Sequence, residues 1–333
     1  MAEAQARQLA DGPLQDRLAR VEDRLAQIIE SDGEATAAIM AYLGDARGKR
    51  LRPLLVMLWA DVYREAASPP PDILVDLGAA VELVHLASLV HDDLIDGAAA
   101  RRGRPTLARR YGPGPTVLAG DYLFAAAFEM LVGQGQFIAL GALARALREM
   151  SEAEIEQLAL AFRLDTDAAA YWRCVRGKTG SLFGAACEIG AQAGGATAGG
   201  ARLARAFGMR LGCAFQVADD LLDVIGDPAQ LGKPVGQDLA RGLLTLPLID
   251  VLNQDPSAGS LRSALAARRI DEATLAGFRR AVKDSGAEGR TRGSIAELLA
   301  GARGCLESLP PAHRADAVAH LGPVVDFVAA HGH

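Results

Sequence analysis

Asp-Asp-x-x-Asp occurs twice in this chain, as Asp92, Asp93 and Asp96 and again as Asp219, Asp220 and Asp223. Both copies sit in apolar sequence, LASLVHDDLIDG and AFQVADDLLDVIG, where an unpaired carboxylate is costly. If both segments are helical, positions i and i+4 put Asp92 with Asp96, and Asp219 with Asp223, on one face. Six carboxylates could then converge on one cavity. At ~4 Å and an effective dielectric of about 20, each like-charge pair would repel by roughly 4 kcal/mol. Something cationic must sit between them. Mg²⁺ is hard and oxygen-seeking, and when few carboxylates hold it, it takes its remaining ligands from water and substrate phosphate. The paired motifs therefore point to diphosphate chemistry.

Basic and polar residues around the motifs suit such a substrate, and each has a plainer structural reading beside the functional one. In GKRLRP, Lys49 and Arg52 stand at i and i+3 ahead of a helix and can clamp one phosphate-bearing group, although a solvated charge run looks the same. His85 lies two turns before Asp92 and roughly on its side, either as a satisfied core histidine or within reach of a bound anion. Arg101 and Arg102 follow Asp96 in ARRGRPT, where guanidinium forks can bind free diphosphate oxygens or merely balance the aspartates. Lys178 and Thr179 in RGKTGSLFGAA offer an ammonium and a hydroxyl side by side. The GKT triplet there is no P-loop, since the upstream glycine is absent at the required spacing and no strand precedes it. Gln216 lies three residues before Asp219. Lys233 follows Asp223 on the loop GKPVGQDLARG, which also carries Asp238.

The elements that must position these groups are helices. Half of the 333 residues are hydrophobic and 5% are aromatic, so the core is built mainly from Ala, Leu and Val. Ala and Leu favour helices, and no segment shows sustained β alternation. Leu14, Leu18, Val21, Leu25 and Ile28 mark an amphipathic first helix. A second is expected from Pro53 through LLVMLWADVYREAA. Residues 73–96 are apolar nearly all round, which predicts a buried central helix ending at Gly97. ARRGRPT reads as a loop and GPGP at 112–115 as a breaker before the next helix. Further helices are expected over 137–163, 167–194, 200–225, 242–253, 271–286, 290–307 and 311–330. No composition shift marks a linker, so the expectation is one all-α domain over 1–333, with its motifs in about 48–250 and C-terminal helices over 251–333.

Composition also excludes some classes. A net charge of −6 argues against a general nucleic-acid binder, which would be basic. Cys174, Cys187, Cys213 and Cys305 show no paired spacing and read as buried thiols in a reducing compartment, without zinc. The N-terminus lacks an apolar leader core and no uninterrupted apolar run approaches membrane-spanning length, so a cytoplasmic enzyme is expected.

Together the motifs closely resemble those of the trans-isoprenyl diphosphate synthases, the polyprenyl synthetase family. The matching stretches are GKRLRP, HDDLIDGAAARRGRPT, LAGDYL, EAEIEQ, KTGSLF, AFQVADDLLD and GKPVGQDLARGLLTLPLI, in the family's order and spacing. The resemblance implies an isoprenoid-synthase helical bundle around a deep central cavity. By it, Asp92, Asp96 and Asp219 hold about three Mg²⁺ per active site on an allylic diphosphate, with Asp93, Asp220 and Asp223 beside them or acting through water. Lys49, Arg52, His85 and Arg102 match positions that bind isopentenyl diphosphate. Arg101, Lys178, Thr179, Gln216 and Lys233 match positions that hold the allylic diphosphate. A homodimer and peripheral membrane contact during product release are further expectations of the resemblance. Family members often finish with a basic residue that helps close the site; this chain finishes FVAAHGH, so closure there is expected to differ.

Product length is read from the residues behind the first motif. Ala87 and Ser88 lie about one turn, ~5 Å, deeper than Asp92, where short-chain members carry a bulky stop. Val84 and the residues before it are not aromatic either. That favours a tunnel for a product of about 30 to 50 carbons, a family-based expectation, although close helix packing would select the same small residues. A geranylgeranyl or farnesyl diphosphate synthase is the nearest alternative. A class I terpene cyclase fits less well, because the second motif is complete and aromatics are few. A non-catalytic synthase subunit should have lost metal ligands, and an inert scaffold gives no reason for buried aspartates.

Overall fold

The computed structural model describes residues 9, 12–30, 33–44, 50–64, 72–101, 103–227, 235–254 and 258–331. Its helices, in chain order, are α1 (Gly12–Ile29), α2 (Glu34–Gly44), α3 (Leu51–Tyr63), α4 (Ile73–Ile95), α5 (Leu107–Tyr111), α6 (Pro113–Gly133), α7 (Phe137–Leu160) and α8 (Ala168–Val175). A five-residue π turn (Arg176–Gly180) leads into α9 (Ser181–Ala193) and α10 (Ala198–Ile225). The remainder are α11 (Gln237–Ala240), α12 (Leu246–Gln254), α13 (Gly259–Ala266), α14 (Glu272–Asp284), α15 (Ala287–Glu307) and α16 (Pro311–His331). Among the described residues the one sheet is a minimal hairpin, with Ala100 opposite Pro105 and Arg101 opposite Arg104. The all-α expectation is met.

By contact the chain divides into two compact units. The first comprises residues 1–147, 182–206 and 306–324. Its centre is α4, whose Leu77, Ala79, Ala80, Val81, Leu83, Val84 and Ala87 are almost wholly buried because the sequence is apolar on every face. α4 packs chiefly on α6, and also on α3 and α1. Of the predicted α1 stripe Leu14, Val21 and Leu25 are buried, while Leu18 and Ile28 lie at its edge and Ile29, not Ile28, closes the row. Small residues set the closest approaches. A methyl on Gly190 of α9 would meet the Val56 carbonyl oxygen of α3 at 2.2 Å, and one on Gly194 would meet that of Ala60 at 2.4 Å.

The second unit comprises residues 148–181, 207–305 and 325–333. It contains α8, the π turn, the second motif on α10, and α11 to α14. Phe278 and Val282 of α14 are fully buried in its core.

Several boundaries differ from those expected. The segment 167–194 is not one helix, since the π turn interrupts it. The helix expected after Pro53 begins at Leu51, which leaves Pro53 in its first turn. The breaker at 112–115 is Gly112 alone, at φ +86; Pro113 starts α6, where a missing N–H costs nothing. Within ARRGRPT, expected as a loop, Ala100–Arg101 and Arg104–Pro105 pair as strands, and α2, α5, α11 and α13 were not anticipated. Among the described residues two helices are long and apolar enough to cross a membrane, α4 with 72% of its most apolar window buried and α6 with 39%. The high value for α4 is that of a core helix.

Candidate active site

The first motif ends α4. Helical phase turns Asp93 inward, while Asp92 and Asp96 share the half-exposed face. Arg101 reaches back from the hairpin and its Nε lies 2.8 and 2.9 Å from the two Asp93 carboxylate oxygens. Burial raises the Asp93 pKa and the charge of Asp96 adds to the rise, while Arg101 opposes it. Arg101, expected on substrate, therefore also orders the motif. His91, just before the aspartates, places its ring against Gly120, where an added methyl would lie 2.1 Å from Nε2. HDDLIDG and LAGDYL thus meet at one point.

GKRLRP is read differently residue by residue. Arg52 is part-buried with its guanidinium 4.5 Å from the Phe183 ring centroid, and its buried Nε meets no hydrogen-bond acceptor among the described residues. Burial pulls its pKa down to about 10, against the attraction of Glu82, so it stays charged at neutral pH. A part-buried cation with an open donor suits an anionic ligand. Arg50 was not anticipated as a separate part. It sits at φ 51 and bonds Glu22 through Nε and Nη2 at 2.6 and 2.9 Å and Glu82 through Nη1 at 2.7 Å. Burial opposes its charge, but the bonds and charges of the two glutamates prevail and raise its pKa. A lone Glu82 inside the apolar stretch AAVELVH was the available signal for a buried partner. A cavity of about 990 Å³ in this unit is lined by Glu22, Leu25, Ile29, Arg50, Leu86 and Tyr122 among others; it reaches α4 at Leu86 rather than at the expected tunnel residues. Val84 and Ala87 are fully buried and Ser88 partly, with the Ser88 hydroxyl donating to the His85 carbonyl 2.8 Å away. His85 itself is half-buried. Lys49 and Arg102 lie outside the described residues.

In the second unit the three aspartates of α10 have three different environments. Asp220 is buried and accepts from the Tyr171 hydroxyl at 2.6 Å and from Gln216 Nε2 at 2.8 Å. Thr179 in turn donates to Gln216 Oε1 at 2.7 Å. Burial, with the charge of Asp238 next, pushes Asp220 up to about 8, although its two donors resist. Asp223 is buried, and its carboxylate accepts from the Gln237 and Asp238 backbone N–H groups at 3.3 and 3.1 Å, which caps α11. Asp219 is a third exposed and meets His331 Nε2 at 2.8 Å. Lys178 stands 2.5 Å from the buried carboxylate of Glu154, in the EAEIEQ stretch. The π turn aims Lys178 one way and Thr179 another, and such insertions are frequent at functional sites. It fits because Gly177 and Gly180 leave room: a methyl on Gly177 would fall 2.5 Å from Ala153 Cβ, and one on Gly180 would fall 3.0 Å from Cys213 Sγ. Tyr171, Lys178, Gln216, Asp220, Asp238 and Arg241 face one cavity of about 160 Å³. Lys233 lies outside the described residues. Neither Tyr171 nor Glu154 was singled out from sequence, and Tyr171 carried no motif signal.

The donor set fits a hard divalent cation. Among the described residues no three His, Cys, Asp or Glu side chains form a preassembled metal cage. Mg²⁺ is ordinarily held by one or two carboxylates, with water and substrate phosphate completing its shell, so the half-exposed Asp92, Asp96 and Asp219 suit it.

Comparison with known proteins agrees over nearly the whole chain. The model of the polyprenyl synthetase family matches residues 34–281. Component 2 of a heptaprenyl diphosphate synthase from Geobacillus stearothermophilus is 36% identical over 299 residues, covering 89% of this chain and 91% of the relative. The crystal structure of a decaprenyl diphosphate synthase from Rhodobacter capsulatus superposes with a TM-score of 0.87 at 31% identity, covering 99% of both chains. A polyprenyl synthase from Caulobacter crescentus, crystallised with calcium and isoprenyl diphosphate, gives 0.87 at 34% identity over 98% of this chain and 97% of that one. With both aspartate motifs and their flanking cations in the family's order, the chain belongs to the polyprenyl synthetase family and is a trans-prenyltransferase.

Proposed function

We propose that the whole chain acts as one catalytic domain that adds isopentenyl diphosphate head to tail onto an allylic diphosphate, making an all-trans product of about 30 to 50 carbons. The observation that carries this reading is full-length likeness to a decaprenyl diphosphate synthase, with small residues at Ala87 and Ser88 behind the first motif. Asp92, Asp96, Asp219 and Asp223 are the proposed Mg²⁺ ligands. When bound, the metal supplies positive charge to the departing diphosphate. Asp93 and Asp220 support their neighbours, Asp93 through Arg101 and Asp220 through Tyr171 on one oxygen and the Gln216–Thr179 pair on the other. Lys49, Arg52, His85 and Arg102 bind isopentenyl diphosphate. Arg101, Lys178, Thr179, Gln216 and Lys233 bind the allylic diphosphate, with Lys178 exchanging Glu154 for a phosphate oxygen. The allylic C–O bond then breaks with both electrons leaving on diphosphate. The double bond of isopentenyl diphosphate attacks the resulting cation, and the proton lost from the adduct passes to the departed diphosphate. No side-chain nucleophile is required.

The active form we propose is a homodimer. Val117, Leu118 and Val132 of α6, with Phe137 and Ile138 at the start of α7, are exposed apolar side chains of the first unit and offer a face for a second copy. The component 2 relative raises a second reading, in which a different subunit completes the enzyme. Incubating the purified chain with Mg²⁺, farnesyl diphosphate and labelled isopentenyl diphosphate, then weighing the products, tests both. A ladder ending within the stated length range supports the proposal. No Mg²⁺-dependent consumption of isopentenyl diphosphate by the chain alone overturns it in favour of the two-subunit form.

A further inference from the structure

The last described residue, His331, closes α16 against the second aspartate motif. Its Nε2 lies 2.8 Å from Asp219 Oδ1, and because a carboxylate can only accept, Nε2 is the donor. Its ring lies flat on Phe215, with centroids 4.7 Å apart and planes 3° from parallel. Phe327, one turn earlier on α16, is nearly parallel on it as well, at 6.5 Å and 17°. Phe215 lies one turn before Asp219 on α10, so one helix face carries both the platform for the imidazole and the oxygen it bonds. The ring is therefore oriented by stacking as well as by the hydrogen bond. His331 is 16% exposed, whereas Asp219 keeps 33%, so the carboxylate still reaches solvent past its partner.

We infer that His331 is a positioning residue for Asp219, holding Oδ1 so that the other carboxylate oxygen is presented to a divalent cation. This rests on the reading of Asp219 as a metal ligand. A ligating carboxylate that is itself hydrogen-bonded has a fixed orientation, and losing such outer partners typically lowers metal affinity by about 10–100-fold. His331 thus acts on the cation through Asp219, without touching the isoprenoid substrates.

The test uses the full chain saturated with farnesyl thiodiphosphate, an unreactive analogue, into which Mn²⁺ is titrated and followed by electron paramagnetic resonance. His331→Phe keeps the stack and removes the donor; it should weaken Mn²⁺ about 10–100-fold while the circular dichroism stays unchanged. His331→Gln restores an N–H donor and should recover most of the affinity. Phe215→Leu leaves the donor without its platform and should give an intermediate loss. Asp219→Ala is the control for the underlying reading. If it loses Mn²⁺ while His331→Phe binds like the native chain, the histidine only packs and the inference fails. Tighter binding in His331→Phe would make His331 a competitor for Asp219 and would equally overturn it. If Asp219→Ala binds Mn²⁺ unchanged, the ligand assignment itself is wrong.

Discussion

At the scale of single residues, charge in apolar surroundings is the recurring feature, and the Arg50 cation shows how such a charge is held. Arg50 is held by Glu22 and Glu82, with side-chain exposures of 8% for Arg50 and 3% for Glu82. Removing one partner of a buried pair usually costs about 3–5 kcal/mol. Since Glu22 remains, Glu82→Ala should sit at the low end, about 3 kcal/mol, and urea unfolding of the two proteins measures it. A second expectation concerns Cys213. Burial pushes its thiol from 9.0 up to about 11, against the nearby charges of Arg176 and Arg210. Its folded pKa lies above its unfolded one, so the native state retains the proton longer. The contribution to stability is present below about pH 9 and is lost as pH rises towards 11. At pH 8.5 iodoacetamide should leave Cys213 unmodified in the native protein and label it in denaturant; rapid native labelling, read by mass spectrometry, would contradict its burial. The aspartates and most cations stand out in the sequence as candidates because their types and spacing are chemical. Their partners were not. Tyr171 is one tyrosine on a short helix, and what reveals it is a 2.6 Å contact across 49 residues.

At the scale of elements, periodicity identified the long helices and missed their interruptions. A π turn preserves the apolar pattern on both sides while adding one residue, so RGKTG reads as continuous helix. Gly177 and Gly180 were the available hints, and their meaning comes from neighbours distant in sequence. Gly177→Ala would ordinarily favour a helix, but here its methyl meets Ala153 Cβ at 2.5 Å and the Glu149 carbonyl oxygen at 2.7 Å. Overpacking should win, costing about 1–3 kcal/mol and shifting Lys178 away from Glu154. The expected signature is a raised KM for the allylic substrate together with a lowered Tm. A more stable variant with native KM would show that the turn is not needed. Short elements escaped for a different reason: α5, α11 and α13 are stabilised by the segments they touch rather than by a stripe of their own.

For the whole molecule, fold class and family were readable because seven motifs keep their order over most of the chain. Product length and assembly depend on surfaces and cavities, which spacing does not encode. Two variants address them. Ala87 is fully buried on α4, and a large ring there should shorten the growing chain if this face floors the tunnel. Ala87→Phe is therefore expected to move the product ladder to fewer carbons, with an unchanged distribution placing the floor elsewhere. Leu118 of α6 is 68% exposed. Leu118→Glu should leave secondary structure intact and convert a dimer to a monomer in sedimentation velocity; a dimer that persists would move the interface off this face.

The ring of His91 occupies the space that a side chain at position 120 would need. Two motifs separated by a hairpin and a short helix therefore behave as one inherited part. A chimera that takes HDDLIDG from this chain and LAGDYL from a donor with any larger residue at that glycine inherits a collision beside Asp92 and Asp93. Recombination breakpoints in a synthase library belong outside residues 91–120, and within that span the exchangeable unit is the whole block.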